Sequence, residues 1–436
     1  MAQTRCVVRT FHLAVMAALP LLGAVQAQAQ SNIKPPQAQA WIDVATFSGM
    51  GMPMGAGGAG GANPMAALGS MFGGGGNAKN QFGHTQTGST GRWVDVTLHT
   101  RNNPSLSDAE HAVPAGFMDS ALKLQAPKEA RSAPTTPDDH ITEHATERPR
   151  GKLLLYWGCG AAVRAGQPKV LDMATASPAE LGQFFQARRA TQRGAHSAAG
   201  RPSWPNTQDA RMLPANASLV GPHAFSGQGV PEVFRWQIAA AQDLMPGLAV
   251  QQQDSAGATE LSWAALPTAR AYFIAGMGAN SREEMVLWTS SEQPDSGFGL
   301  IDYQTNAAVD RWLGEKVLLP ASSTRCTVPK GVFPEGDGGM LRMIAYGNEL
   351  NLAQPPRPAD LKAAWEPVWA AKIRVKSVAT LLLGMPNQDE RTAPRGAGRD
   401  ANSRDTPSRD EAKPAEKKEE EKKPNPINIL RGILGR

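Results

Sequence analysis

Two segments of this chain share a four-residue pattern that points to β-structure. Residues 41–44 read Trp-Ile-Asp-Val and residues 93–96 read Trp-Val-Asp-Val, each inside a run in which apolar and polar side chains alternate. Such alternation, with β-branched residues, is typical of a half-buried strand, because successive side chains of a strand point to opposite faces. We therefore predict strands over 41–49 and 91–100. The similarity indicates either an internal repeat or two adjacent strands in one environment, and we favour adjacent strands.

Short segments of the same kind recur along the chain and predict an all-β, mainly antiparallel fold. Turn-forming residues separate them at the spacing of a β-sandwich. The further strands are predicted over 120–124, 152–156, 169–172, 217–220, 232–238, 247–252, 259–264, 271–275, 285–289, 326–328, 341–345 and 371–382. The complete expectation is two β-sandwich-like domains with a few short helices and a disordered C-terminal tail.

Two short helices are expected between the strands. Ser177 is a good N-cap, Pro178 suits the first helical position, and Glu180 stands where a capping box places its acidic residue. A second helix is predicted over 306–313.

The first 29 residues are typical of a secretory signal peptide. Arg5 and Arg9 make the beginning positively charged, residues 11–22 form an apolar stretch, and Ala27-Gln28-Ala29 is a small-x-small cleavage pattern. Cleavage after Ala27 is the alternative. The apolar stretch is shorter than the roughly 20 residues that a membrane-spanning helix needs. We therefore expect the mature protein to be periplasmic or secreted.

Composition divides the mature chain into two β-rich units and a tail. The units are predicted over 30–238, with a Gly/Met-rich insertion at 49–78, and over 244–385. Residues 386–424 mix basic and acidic side chains and predict a disordered linker.

The last segment, residues 425–436, is predicted to be a short amphipathic peptide that contacts a protein partner or a membrane surface. Its apolar side chains fall on one helical face, namely those of Ile427, Leu430, Ile433 and Leu434. The alternative is an unbound, frayed end, since so short a helix is marginal by itself.

Part of the second unit resembles the fibronectin type III family. Glu260-Leu261-Ser262-Trp263 is similar to the strand that carries the family's core tryptophan, and residues 266–272, Leu-Pro-Thr-Ala-Arg-Ala-Tyr, are similar to the Pro-x-Ala-x-x-Tyr pattern that follows it. Residues 341–346 are similar to a late strand of that fold. The resemblance covers about residues 244–354 and implies a non-catalytic binding or spacer module. The long strand spacing and the helix predicted over 306–313 depart from the family.

The formal net charge of +5 does not indicate a nucleic-acid-binding protein. Arg5 and Arg9 lie in the signal segment, Arg431 and Arg436 lie in the last segment, and residues 387–424 hold ten basic and ten acidic side chains. The remaining chain is close to neutral, so it has no single-sign field that would attract a polyanion.

Two cysteines follow the signal segment, Cys159 and Cys326. In an oxidising compartment they are the one pair that this part of the chain can form. Two independent buried thiols are the alternative, which we slightly favour because the cysteines lie in different predicted units. A catalytic thiol is the least supported reading, since no partner histidine can be argued for either cysteine.

The insertion contains a candidate metal site. Met50, Met52 and Met54 form a Met-x-Met-x-Met pattern, and thioether sulfur is a soft ligand that suits Cu(I). The alternative is that methionine simply accompanies glycine in a biased tract.

The sequence has no G-x-S-x-G, Walker A or Cys-x-x-Cys motif, so we assign no catalytic residue and no cofactor. We predict an exported, non-enzymatic envelope protein that serves as a binding or scaffold module for another envelope protein or an envelope polymer. A periplasmic hydrolase acting on an envelope polymer is the first alternative. A Met-rich copper-handling protein is the second.

Overall fold

The computed structural model confirms a fold built mainly from β-strands. It describes residues 34–49, 82–87, 90–119, 121–128, 151–186, 188, 190, 194–282, 284–333, 339–360 and 363–383. This described part contains three short α-helices, which are α1 (His84–Thr87), α2 (Pro178–Phe184) and α3 (Asn306–Gly314).

The strands carry most of the structure. They are β1 (Ala38–Gly49), β2 (Gly91–Thr100), β3 (Asp108–Ala112), β4 (Ala121–Gln125), β5 (Lys152–Trp157), β6 (Lys169–Asp172), β7 (Ser203–Trp204), β8 (Gly221–Gly227), β9 (Arg235–Ile238), β10 (Val250–Ser255), β11 (Ala258–Trp263), β12 (Ala271–Ala279), β13 (Met285–Thr289), β14 (Leu319–Pro320), β15 (Arg325–Val328), β16 (Gly339–Gln354) and β17 (Trp369–Leu382).

Most strands belong to one large mixed sheet. Its order is β6-β5-β13-β12-β16-β17-β1-β2-β7-β4-β3-β8-β9, with β14 paired to β12. The neighbours β17 and β1 are parallel, as are β13 and β5, whereas the other paired strands are antiparallel. A separate three-stranded sheet has the order β10-β11-β15. In the described part of the chain, β6 and β9 are therefore the two edges of the large sheet.

The large sheet has an apolar cluster on each face. On β1, Ile42 and Val44 belong to the first core, whereas Ala45 and Phe47 belong to the second core. This division follows from the strand period of two, which sends alternate side chains to opposite faces. The first core extends over β2 and the small sheet, and the second core extends over β5, β6 and α3.

Hydrogen-bonded strands cross the predicted boundary near residues 238–244. The strand β1 from the first predicted unit pairs with β17 from the second, and β5 pairs with β13. Pairing between strands so far apart in the chain depends on tertiary contacts, which reading along the sequence does not reveal.

Several local predictions are confirmed. The structure has strands over Gly91–Thr100, Lys169–Asp172 and Met285–Thr289, with the predicted bounds. The adjacency of the two Trp-x-Asp-Val segments is also confirmed, since β1 and β2 pair antiparallel with Asp43 opposite Asp95.

The strand predicted over 217–220 is wrong, because β8 begins only at Gly221. The Ser218 N–H donates to the Gly116 carbonyl at 2.9 Å, and the Leu219 N–H donates to Asp243 Oδ1 at 2.7 Å. These backbone groups are therefore used by a loop and a side chain instead of by a strand ladder.

The residues that resemble fibronectin type III form one local contact. The rings of Trp263 and Tyr272 meet edge to face with centroids 5.6 Å apart, and the Leu266 N–H donates to the Tyr272 hydroxyl at 2.8 Å. Trp263 lies in the small sheet and Tyr272 in the large one, so this contact joins the two sheets. The family resemblance itself stays an interpretation of the sequence.

Within the described residues, the helices are too short or too polar to cross a lipid bilayer.

Candidate ligand-binding cleft

A cleft of about 460 Å³ lies at the β6 edge of the large sheet. Its floor includes Leu155 of β5 and Leu171 of β6, both of which are buried in the second core. The helix α2 forms one wall through Gln183 and Phe184. Residues 294–296, which follow β13, also line the cleft. The lining therefore combines apolar and polar side chains.

The α2 wall is held by the capping box that the sequence predicts. Ser177 Oγ accepts the Glu180 N–H at 3.2 Å, and Glu180 Oε2 accepts the Ser177 N–H at 2.8 Å. Pro178 stands in the first turn. At the other end of the helix, the Phe185 ring packs against Phe298 of the second core with centroids 5.2 Å apart. The capping box thus stabilises the first turn of the helix, and the Phe185–Phe298 contact packs its other end against the second core.

The Gln167 side chain continues the pairing of β5 at the point where β6 has not yet begun. Gln167 Oε1 accepts the Trp157 N–H at 3.0 Å, while Gln167 Nε2 donates to the Trp157 carbonyl at 2.9 Å. The amide thus imitates a paired strand residue. It fixes the chain just before Lys169, where β6 enters the cleft.

Most charged groups of the cleft are bound to partners. Arg188 donates to Asp295 through Nε and to Glu315 through Nη1, the latter at 2.8 Å. Asp295 Oδ1 also accepts the Gly297 N–H at 2.8 Å. The hydrogen bonds from Ser177 lower the pKa of Glu180, so this carboxyl stays ionised at neutral pH.

Two polar groups of the lining are different. Ser296 is only 3% exposed, and its Oγ has no hydrogen-bond partner within the described residues. Lys169 is exposed at the β6 edge and has no ion pair within that same part of the chain. Buried hydroxyls are normally hydrogen-bonded, so Ser296 Oγ is an unsatisfied buried group, whereas Lys169 is the group that an occupant of the cleft can reach.

A second polar feature is a row of charges across the centre of the sheet. Glu349, Arg374, Asp43 and Asp95 lie side by side on β16, β17, β1 and β2. Arg374 binds Asp43 in a two-pronged pair, with Nε–Oδ1 and Nη2–Oδ2 distances of 2.6 Å. The Ala195 N–H also donates to Asp43 Oδ2, at 2.9 Å. These contacts are buried, and they attach the chain around residue 195 to the sheet.

Neighbouring groups complete this charged row. Lys376 Nζ lies 3.0 Å from Asp302 Oδ1 and 4.1 Å from the centre of the Tyr303 ring, and Arg374 Cζ lies 4.3 Å from that ring centre. Burial lowers the pKa of Lys376 although Asp302 opposes that change. Asp43 and Asp302, the cations of Arg374 and Lys376 and the Tyr303 ring therefore form one connected internal network.

The predicted site residues have different outcomes. Cys159 and Cys326 form a disulfide with an S–S distance of 2.06 Å, so the favoured alternative of two independent thiols does not apply. The pair is brought together because residues 160 and 161 hydrogen-bond with residues 327 and 330. The Met50, Met52 and Met54 hypothesis lies outside the described residues, as do the predictions for Ile427, Leu430, Ile433 and Leu434.

The cleft itself was not found from the sequence. Its lining comes from β5, β6, α2 and the 294–296 segment, which are separated by up to about 140 residues. The capping box located one wall, but no local pattern connects that wall with Ser296 or Lys169. Within the described residues, no group of three or more His, Cys, Asp or Glu side chains is placed to hold a metal ion.

Comparison with protein-family models, curated proteins and solved structures found no match to this chain, so its function is inferred from the cleft's own residues.

Proposed function

We propose that this chain is an exported, non-enzymatic binding module of the cell envelope, with its ligand in the cleft between β6 and α2. The observation that carries the proposal is the cleft's mixed lining beside an open sheet edge. Its volume of about 460 Å³ falls in the usual range of ligand sites, in which apolar walls provide contact area and a few polar groups provide orientation. Leu155, Leu171 and Phe184 supply the apolar contact area, and Lys169 supplies a polar group for orientation.

The state of the charged side chains favours binding over hydrolysis. A hydrolase needs an acid, base or nucleophile that is free to act on the substrate. Glu180 is instead held by Ser177, while Asp295 is held by Arg188 and the Gly297 N–H. Ser296 has no histidine or carboxylate hydrogen-bonded to its Oγ within the described residues. Glu180, Asp295 and Ser296 therefore have a structural role in the lining of the cleft.

Export is supported by two independent observations. Residues 1–29 have the pattern of a signal peptide, and Cys159 is bonded to Cys326. Structural disulfides persist in oxidising compartments such as the periplasm. Both observations fit an envelope location.

Site-specific photocrosslinking in the native cell tests the proposal. The photoreactive residue benzoylphenylalanine replaces Gln183 on the cleft wall or, as the control, Gln237, which is exposed on the opposite edge strand β9. We expect a discrete adduct from position 183 that position 237 does not give. Absence of an adduct at 183, or the same adducts at both positions, would contradict the proposal.

A further inference from the structure

The strand β6 offers an open hydrogen-bonding edge inside the cleft. It pairs with β5 on one side, and it is the terminal strand of the large sheet in the described part of the chain. Lys169, Val170 and Leu171 of β6 all line the cleft. An edge strand presents unpaired N–H and C=O groups that can pair with a further strand. The cleft therefore adjoins backbone groups that suit an extended ligand.

The register of β6 determines which side chains such a ligand meets. Lys169 pairs with Leu155 and Leu171 pairs with Leu153, and these three leucines belong to the second core. Lys169 and Leu171 consequently point to the face that α2 covers, since they lie two residues apart. Val170 points to the other face, where 55% of its surface is exposed. Val170 therefore offers an apolar side chain to a strand added at this edge.

We propose that the occupant of the cleft is a peptide segment that adds to β6 as a further strand, with an acidic side chain opposite Lys169 and an apolar one opposite Leu171. This inference rests on the proposed function and specifies the ligand class. The two positions are separated by one residue, whose side chain meets the exposed Val170 and is best apolar. The recognised sequence is therefore an acidic residue and two apolar residues, Glu-Val-Ile or Ile-Val-Glu according to strand direction.

Charge complementarity supports the acidic position. Four charged side chains line the cleft: Lys169, Glu180, Arg188 and Asp295. Glu180 is engaged with Ser177, and Arg188 and Asp295 are engaged with each other. Glu180 and Lys169 have no ion pair in the described part of the chain, and Lys169 is the one of the two that lies on β6 itself, where an added strand would meet it. Opposite charges directly across two strands stabilise their pairing.

Ser296 belongs to the lining of the cleft, but its hydroxyl is enclosed by protein. Its Oγ is buried and unpartnered within the described residues, whereas its wall neighbour Asp295 is fully engaged. The polar contacts open to a peptide are therefore the backbone groups of the β6 edge and the Lys169 side chain. Strand addition with a pocket for alternate side chains is an established way to recognise extended peptides.

Synthetic peptides test the inference on the full mature protein. The probes are capped Thr-Ile-Val-Glu-Thr and Thr-Glu-Val-Ile-Thr, one for each strand direction, and versions with Lys in place of Glu. Calorimetry is expected to show that one Glu peptide binds about fivefold or more tightly than its Lys version, from the worth of one cross-strand charge pair. Slower amide exchange in β6 should accompany binding, because the N–H groups at that edge become paired.

Protein variants and modified peptides distinguish the contribution of the Lys169 charge to binding from the contribution of backbone hydrogen bonds. Lys169→Glu is expected to reverse the preference so that the Lys peptide binds better, whereas Arg235→Glu, on the opposite edge strand, leaves it unchanged. N-methylation of the peptide at alternate residues is expected to weaken binding by about tenfold, by removing one backbone hydrogen bond. Methylation at the intervening residues has little effect, because their N–H groups point away from β6.

Several results would overturn the inference. These are equal affinity of the wild type for Glu and Lys peptides, no reversal in Lys169→Glu, or no alternation with the position of N-methylation. Tighter binding of octanoate, or of a peptide of residues 425–436, would replace the proposed occupant with another one. If these peptides fail while position 183 still gives a photocrosslinked adduct, the cleft binds a different ligand and the proposed function stands. If both experiments fail, neither proposal stands.

Discussion

At the residue scale, two equivalent aspartates have different surroundings. Asp43 and Asp95 face one another on β1 and β2, and both are almost fully buried. Asp43 is neutralised by Arg374. Asp95 instead accepts the N–H groups of Gly83 and Thr85 at 2.9 and 3.0 Å, together with the Thr85 hydroxyl. The same sequence pattern thus serves an ion pair at one position and attachment of α1 at the other.

The different surroundings predict a pH dependence for Asp95. Burial raises its pKa from 3.8 to about 6, although the hydrogen bonds from Thr85 and Gly83 oppose the change. Because the pKa is higher in the folded state, the folded protein binds this proton more tightly than the unfolded protein does. The stability that Asp95 contributes is therefore complete below pH 3.8 and is lost as the pH rises through 6. The loss is on the order of 3 kcal/mol.

Urea unfolding between pH 3.5 and 7.5 measures this effect. We expect the difference in unfolding free energy between the wild type and Asp95→Asn to change across that range by on the order of 3 kcal/mol, in favour of the wild type at low pH. Asp108→Asn, at an exposed carboxyl on β3, is the matched control and should follow the wild-type profile. A difference between wild type and Asp95→Asn that does not vary with pH would refute the assignment.

The same residues show which contacts a local sequence pattern can predict. Alternation placed Asp43 and Asp95 in neighbouring strands, which the register confirms. It did not identify Arg374 as the partner of Asp43, since the two are 331 residues apart and no periodicity operates over such a separation. Lys376 lay in the predicted strand over 371–382, yet that pattern does not reveal that it is buried beside Asp302.

At the element scale, helices with sequence-encoded caps were the most predictable. The box of Ser177 and Glu180 is present, and α3 begins at Asn306 with Thr305 as its cap. Capping depends on residues three positions apart, so it can be read locally. Strands β3, β7, β8 and β14 were missed, because β7 and β14 have two residues each, β3 reads Asp-Ala-Glu-His-Ala and β8 begins with Gly-Pro. Their pairing comes from neighbours and not from propensity.

The capping box leads to a prediction for α2. Replacing Ser177 with Ala removes the acceptor for the Glu180 N–H and should cost about 1 kcal/mol of local helix stability. Hydrogen exchange is expected to quicken in α2 and to stay unchanged in β12, in the middle of the large sheet. Adduct formation from position 183 should fall in the same variant, because α2 forms a wall of the cleft.

A matched replacement is available for this test. Ser177→Asn keeps a good N-cap acceptor and should retain near wild-type exchange in α2. If Ser177→Ala and Ser177→Asn exchange equally fast, or if Ser177→Ala leaves α2 as protected as in the wild type, the capping box does not hold this wall.

At the scale of the whole molecule, a covalent bond joins the two sheets. Cys159 follows β5 of the large sheet and Cys326 lies on β15 of the small one, with a sequence separation of 167. A bond closing so long a loop removes much of the freedom of the unfolded chain. The chain-entropy model puts the resulting stabilisation at about 5 kcal/mol.

Removal of this bond should therefore lower the unfolding free energy strongly. We expect wild-type protein in dithiothreitol and the double variant Cys159→Ala/Cys326→Ala to lose similar stability, about 5 kcal/mol, in urea unfolding. Either single variant should lose about as much as the double one, since each eliminates the same bond. Wild-type stability that is unchanged by the reductant would show that the bond is absent or without effect.

The sequence by itself determined the features that depend on neighbouring residues. The period of two identified most strands, and the capping box identified α2, because each signal lies within a few positions of the chain. Only the tertiary structure decided the strand order, the Asp43–Arg374 pair, the Cys159–Cys326 bond and the cleft. Each of these joins segments that lie far apart in the chain, and which distant segments meet is decided by the packing of the whole sheet and its two cores. The open edge of β6 is such a case, since a strand's own residues do not reveal whether a neighbour pairs with it.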